Sequence, residues 1–256
     1  MSTANGFNAL LAEYLELFAH TEIFIFVFME IITRIATIQR VIFKKAMMKD
    51  YIIFVTVFGL FSIFGTYIGS PESSGAITNI RDLAPMVAGL VGGPVVGTAV
   101  GLIGGIHRLL LGGATCVPCS LATIFAGLIA GLVYKLNKGK MLGIIPAILF
   151  AASIELLHAG VVLLIISPFT FALDIVLETI PQMIIAVSLG MGISAVIINS
   201  IKEPAHLMGK SNDSGCSSPK LDETTNSILL GEKRILTYFL VWLRTLTFIK
   251  RFQEHP

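Results

Sequence analysis

The stretch NIRDLAPMVAGLVGGPVVGTAVGLIGGIHR, residues 79–108, decides how this chain is read. With His107 neutral it holds no charge between Asp82 and Arg108, and an arginine stands near each end, Arg81 and Arg108. Near its centre lies Gly92-Gly93-Pro94. Proline removes a backbone donor and clashes with the preceding helical turn, and paired glycines let the chain reverse. Helices of about 8 and 11 residues on either side would each be about 12–16 Å long, half a bilayer. Two topologies follow. A re-entrant hairpin puts Arg81 and Arg108 on one face, beside Asn79 and Cys119. A continuous glycine-rich helix, packed closely through its small residues, puts them on opposite faces, roughly 40 Å apart. A broken helix at membrane depth is tolerated only where protein buries it or where it lines a wet cavity.

Composition supplies the setting. Of 256 residues, 55% are hydrophobic and 13% charged, with mean hydropathy +0.85. A soluble domain carries about 25% charged residues. The expected fold is an all-α integral membrane protein, a bundle of 5–6 transmembrane helices with residues 79–108 as the segment open to re-entrance. A net charge of +2 is too small and scattered for nucleic-acid binding. Three cysteines, Cys116, Cys119 and Cys216, are too few for a secreted disulfide scaffold. The first residues lack the basic region and cleavage site of a removable leader.

Candidate spans are 14–33, 51–69, 84–106, 119–134, 142–167 and 171–200. The first carries Glu16, Glu22 and Glu30, of which Glu22 lies deepest and suits a hydrogen bond to a neighbouring helix. From Lys202 the chain turns polar. Residues 1–201 therefore read as the membrane domain and 202–256 as a polar linker with a short apolar segment, ILTYFLVWLRTLTFIKRF, suited to an interface or a partner. Arg34, Arg40, Lys44, Lys45 and Lys49 mark a cytoplasmic loop, as do Lys135, Lys138 and Lys140, and the tail from Lys202. Five crossings plus a re-entrant 84–106 satisfy all three assignments, whereas six crossings do not. The charge rule thus favours re-entrance in a multi-pass plasma-membrane protein. Two arginines on one outer face would suit a small carboxylate, which the two-pronged guanidinium matches.

The block from Asn79 to Gly131 resembles the LytS/YhcK type of five-transmembrane receptor, found on sensor histidine kinases and diguanylate cyclases. The likeness rests on Asn79-x-Arg81, the Gly89 to Pro94 run, Gly104-Gly105-x-x-Arg108, Gly112-Gly113 and the Gly127 to Gly131 stretch. It extends upstream to KDYIIFVTVFGLFSIFGTYIG and downstream to IELLHAGVVLLIISPFTFALDIVLETIPQMI, about residues 25 to 200. The resemblance implies a sensory module of a two-component system. Some such receptors respond to small carboxylates such as pyruvate, and others are linked to cell-wall control. By similarity, Asn79, Arg81, Arg108 and Cys119 fall at the ligand-binding positions, with Ser120 or Thr123 as a nearby hydroxyl. A homodimer and a separate kinase or response partner are also implied. The type is similar in style to substrate-binding subunits of vitamin transporters, which keeps solute transport as the alternative. One departure stands out. His206 and His255 lie in contexts unlike a phosphoacceptor, no GGDEF sequence occurs, and about 55 tail residues fall short of a catalytic domain. No enzyme activity is expected of these residues.

The remaining polar residues have plainer readings. Arg81 and Arg108 also suit snorkelling topology anchors. Cys116-Val-Pro-Cys119 is a lone CxxC. Glu155 and His158, at i and i+3, share a helix face, but two ligands do not make a metal site, and no cofactor is assigned. Ionisable groups inside a span usually face the bundle interior, so Glu155, His158 and Glu178 read as intramembrane polar or signalling residues. Pro181 reads as a kink and hinge in the last span. No catalytic triad, phosphate-binding loop, zinc-protease pair or dinucleotide fingerprint is present.

Overall fold

The computed structural model describes residues 22–68, 70–71 and 76–212. Helix α1 covers residues 22–33 of these. It is followed by α2 (Ala36–Ile42), α3 (Met48–Tyr67), α4 (Leu83–Gly92), α5 (Pro94–Leu111), α6 (Cys116–Leu136), α7 (Ile144–Ile165) and α8 (Phe169–Asn212). Between α3 and α4 a two-residue antiparallel ladder pairs Ser70 with Thr78 and Pro71 with Ile77. Five of the helices, α3 and α5 to α8, are long and apolar enough to cross a membrane. The all-helical, multi-pass membrane architecture expected from composition is therefore present. Residues 25–196 form one compact unit. The second unit, 1–24 with 197–256, is helical at 22–24 and 197–212. Most of the 202–256 segment, with its ILTYFLVWLRTLTFIKRF stretch, lies outside the described residues, as do Glu16, Cys216 and the N-terminal residues.

The bundle has an apolar core like that of a soluble protein, but it also buries a set of polar groups and exposes large apolar ones. On α7, Glu155 and His158 are buried while Leu149, Leu156 and Leu164 are exposed. Apolar side chains facing hydrocarbon lose nothing by exposure, and polar groups gain by facing one another.

The segment that opens the chain's reading is broken in two. Gly93 takes φ +88°, a conformation open to glycine at little cost. Pro94 occupies the first position of α5, where its missing N–H would have had no helical partner. The halves are longer than their apolar runs: α4 has 10 residues and α5 has 18. Helix α5 continues past Ile106 because Arg108 is itself buried and does not mark the membrane edge.

Contacts with α6 fix how the halves run. A Cβ placed on Gly101 would meet Thr123 O at 2.8 Å, and one on Gly105 would meet Ser120 O at 2.9 Å. Rising numbers on α5 thus meet falling numbers on α6, so the two are antiparallel. Helix α4 pairs in the opposite sense: Asp82, just before it, bonds Thr123, and a Cβ on Gly89 would meet Gly127 O at 2.7 Å. Helices α4 and α5 therefore fold back on each other, and a Cβ on Gly97 would lie 2.7 Å from Gly89 Cα. The chain enters and returns on one side.

Which side is set by the basic loops. Lys44 lies over the Tyr134 ring, 5.6 Å from its centroid, and Gly93 also faces Tyr134. The 34–50 loop, the hairpin tip and the basic end of α6 share one end of the unit, which the positive-inside rule makes cytoplasmic. At that end Asp50 accepts from Met47 N at 2.9 Å and from Arg40 at 2.7 Å, tying α2 to the first turn of α3. The opposite end carries Tyr67 against His107 at 3.2 Å, with Arg108 next to it.

This arrangement predicts a labelling pattern. In a background with Cys116, Cys119 and Cys216 changed to alanine, Ala114→Cys should react with an impermeant maleimide from outside the cell. Lys45→Cys and Lys138→Cys should react only after the membrane is opened. A continuous crossing through residues 84–106 reverses the result at Ala114 and at Lys138, and leaves Lys45 unchanged.

Candidate functional site

Four elements deliver the buried polar residues. The turn before α4 brings Asn79, Arg81 and Asp82, α5 brings Arg108, α6 brings Cys119, Ser120 and Thr123, and α7 brings Glu155 and His158. All nine are buried. Such a group survives in an apolar interior only by pairing with itself or with a ligand.

Arg81 is the hub. Its Nε donates to Thr123 Oγ1 at 2.8 Å and lies 3.5 Å from Asp82 Oδ1. One Nη reaches the Cys119 carbonyl at 3.5 Å. The backbone is pinned as well. Asn79 Oδ1 accepts from Arg81 N at 3.1 Å, and Ser62 of α3 donates to Arg81 O at 3.1 Å. Thr123 has a single hydroxyl proton, with Asp82 Oδ1 at 2.5 Å and Cys119 O at 2.8 Å as its acceptors. The ionised carboxylate at the shorter distance is the stronger acceptor.

His158 joins α7 to this hub. Its Nε2 lies 3.3 Å from Cys119 Sγ, and its Nδ1 lies 3.2 Å from Asp82 Oδ2 and 3.5 Å from Glu155 Oε2. Arg108 sits toward the start of α6, donating to Gly112 O at 2.6 Å and Thr115 Oγ1 at 2.9 Å. A cation in the last turn of α5 also suits the helix dipole. Arg81 thus meets the α6 backbone at Cys119, and Arg108 meets the turn that leads into the same helix. Arg81 Nη1 and Arg108 Nε carry N–H groups that meet no protein acceptor.

The residues singled out from sequence divide accordingly. Arg81, Cys119, Thr123, Glu155 and His158 form one connected cluster, Asn79 shapes its backbone, and Arg108 stands beside it. Ser120 bonds back to Cys116 O at 2.6 Å on its own helix. Cys116 and Cys119 are free thiols. Glu178 is half-buried on α8, where its carbonyl accepts from Gln182 at 3.1 Å. The helix runs unbroken through the exposed Pro181. Asp82 and Thr115 were not singled out. The available signal for Asp82 was an acid directly after an arginine at the mouth of an apolar run.

A family model described as "5TMR of 5TMR-LYT" matches residues 35–201. The chain belongs to this family. It is thus a membrane receptor domain of the LytS type, as carried by two-component sensor kinases. The sensor histidine kinase BtsS of Escherichia coli K12 is 34% identical over 139 residues, 52% of this chain and 25% of that protein. The sensor protein LytS of Bacillus subtilis 168 is 32% identical over 170 residues, 60% of this chain and 29% of that protein. The sensor histidine kinase YpdA of Escherichia coli K12 is 38% identical over 111 residues, 42% of this chain and 20% of that protein. The match thus spans less than a third of these relatives' length. No solved structure matches the chain.

Proposed function

We propose that this receptor domain binds a small carboxylate between Arg81 and Arg108, toward the outer side, and passes the event to a cytoplasmic kinase or response partner. One observation carries the reading. Two fully buried arginines at the same end of a broken-helix hairpin each keep an N–H that no protein acceptor meets. A buried charged donor left unpaired is costly, and a carboxylate supplies acceptors of matching shape. The carboxylate can shift the bundle only as far as it binds one arrangement more tightly. The domain does no chemistry on its ligand in this reading, and a homodimer is its working form.

The test is calorimetric titration of the detergent-purified chain with a panel of small carboxylates, pyruvate included. Arg81→Lys and Arg108→Lys keep the buried charge but lose the fork. One acid should bind the wild type, and each variant should weaken it at least about tenfold, or 1.4 kcal/mol. If nothing binds, or either variant binds as the wild type does, the shared site is wrong. The broken helix also favours a second reading, since transporters bind substrates at such breaks. Uptake of labelled acid into vesicles separates the two: a receptor binds without accumulating.

A further inference from the structure

A second site lies on the other side of Asp82. Asp82 Oδ1 is occupied by Thr123 and Arg81, while Oδ2 faces away from both toward α7. There it meets His158 Nδ1 at 3.2 Å, and that nitrogen lies 3.5 Å from Glu155 Oε2. All three side chains are at most 2% exposed. The three facing atoms all lie within 4.8 Å of one another.

The contacts have the distances of ion pairs but not the directions of hydrogen bonds. Asp82 Oδ2, His158 Nδ1 and both Glu155 oxygens meet no hydrogen-bond partner. A proton on Nδ1 would point along the ring plane to one acceptor. Here the nitrogen stands between two carboxylates and aims at neither. His158 Nε2 faces the Cys119 sulfur. Two carboxylates facing one imidazole nitrogen call for positive charge at that point, from a second proton on the ring or from a cation bound among the three. Charge points the same way. Arg81 offsets one carboxylate, and the second needs a positive charge of its own, from a doubly protonated His158 or from a bound ion.

We infer that Asp82, Glu155 and His158 form a binding site for a divalent transition-metal cation of the Zn2+ kind. Ligand atoms about 3.3 Å apart are what a tetrahedral ion with bonds of about 2.0–2.1 Å requires, and the two shorter separations here bracket that value. The imidazole argues against Ca2+ and Mg2+, which take oxygen ligands. The surroundings are those of a supported metal site: the histidine's other nitrogen is engaged by Cys119, and the aspartate's other oxygen is held by Thr123 and Arg81. The ion would clamp the stretch before α4 onto α7. The inference does not depend on the carboxylate reading, because none of its ligand atoms belongs to Arg81 or Arg108.

The experiment uses the full chain without a histidine tag, in detergent, stripped with chelator and reloaded with Zn2+, then cleared of excess. Metal is counted by plasma mass spectrometry, and affinity is read against a competing chelator dye. About one Zn2+ per chain is expected. Glu155→Gln, nearly isosteric, should weaken binding at least about tenfold. Reloading with Co2+ gives a readout on the wild type alone: the strong visible absorption of a low-coordinate ion supports the site. The weak spectrum of a hydrated six-coordinate ion overturns it. So does a metal content well below one per chain, or a Glu155→Gln variant that binds as tightly as the wild type.

Discussion

Arg81→Met should cost the folded domain about 3–5 kcal/mol, the range for stripping one partner from a buried ion pair. The methionine roughly matches the arginine stem in reach, so the loss comes from charge more than from volume. Asp82 is fully buried, and Arg81 is its adjacent fixed cation, 3.5 Å away. Without it the carboxylate keeps the Thr123 hydroxyl and His158 as company. Adding Asp82→Asn to Arg81→Met should restore more than half of the loss, because the orphaned charge is gone. Asp82→Asn alone should cost about as much as Arg81→Met, since it strands the cation. This non-additivity distinguishes a charge pair from two independent packing sites. Unfolding in mixed micelles, followed by circular dichroism with chelator present, measures all three. A single-variant loss under about 1 kcal/mol would mean that Asp82 is not held as an ion by Arg81.

The same residues show how far sequence alone could reach. Apolar runs of about 20 residues located every long helix, because hydrocarbon thickness constrains length directly. Gly92-Gly93-Pro94 located the break, because glycine at φ +88° and proline at a first helical position are local effects visible in three residues. Charge located the ends: Lys44 does meet the Tyr134 end of α6. The lengths of α4 and α5 were less legible. Arg108 reads as a membrane boundary by its charge, yet it is buried and the helix runs past it. The core of the site was legible only in part. Arg81, Glu155 and His158 could be picked out as ionisable residues in or beside apolar runs, whereas Cys119 and Thr123 came from the family resemblance. That Asp82 would join α6 to α7 could not, because its contacts with Thr123 and His158 span 41 residues and more. An acid beside an arginine also looks, in sequence, like a solvated turn. The short ladder at Ser70–Pro71 and Ile77–Thr78 has two residues per strand, too few to show an alternating pattern.

Gly97→Ala and Gly160→Ala should change stability in opposite directions, although each adds one methyl to a helix. Alanine is favoured over glycine in a helix interior by about 0.5–1 kcal/mol. At Gly160 nothing lies within 4 Å of the added carbon, so that gain should appear nearly in full. At Gly97 the carbon would lie 2.7 Å from Gly89 Cα and would overlap the carbonyl of Gly127. Both obstacles are backbone, so neither can rotate aside. Relief requires α4, α5 or α6 to move, and the overpacking cost of about 1–3 kcal/mol outweighs the propensity gain. Gly97→Leu should be worse, separating α5 from α6 along the row of Gly101 and Gly105. The consequence reaches the site, because α6 carries Thr123 and Cys119 against the segment that carries Arg81. Gly97→Leu should therefore lose carboxylate binding together with stability, whereas Gly160→Leu should keep carboxylate binding and be at least as stable as the wild type. A stable Gly97→Ala would show that the three backbones do not meet there, and the fold-back that puts both arginines at one end would go with it.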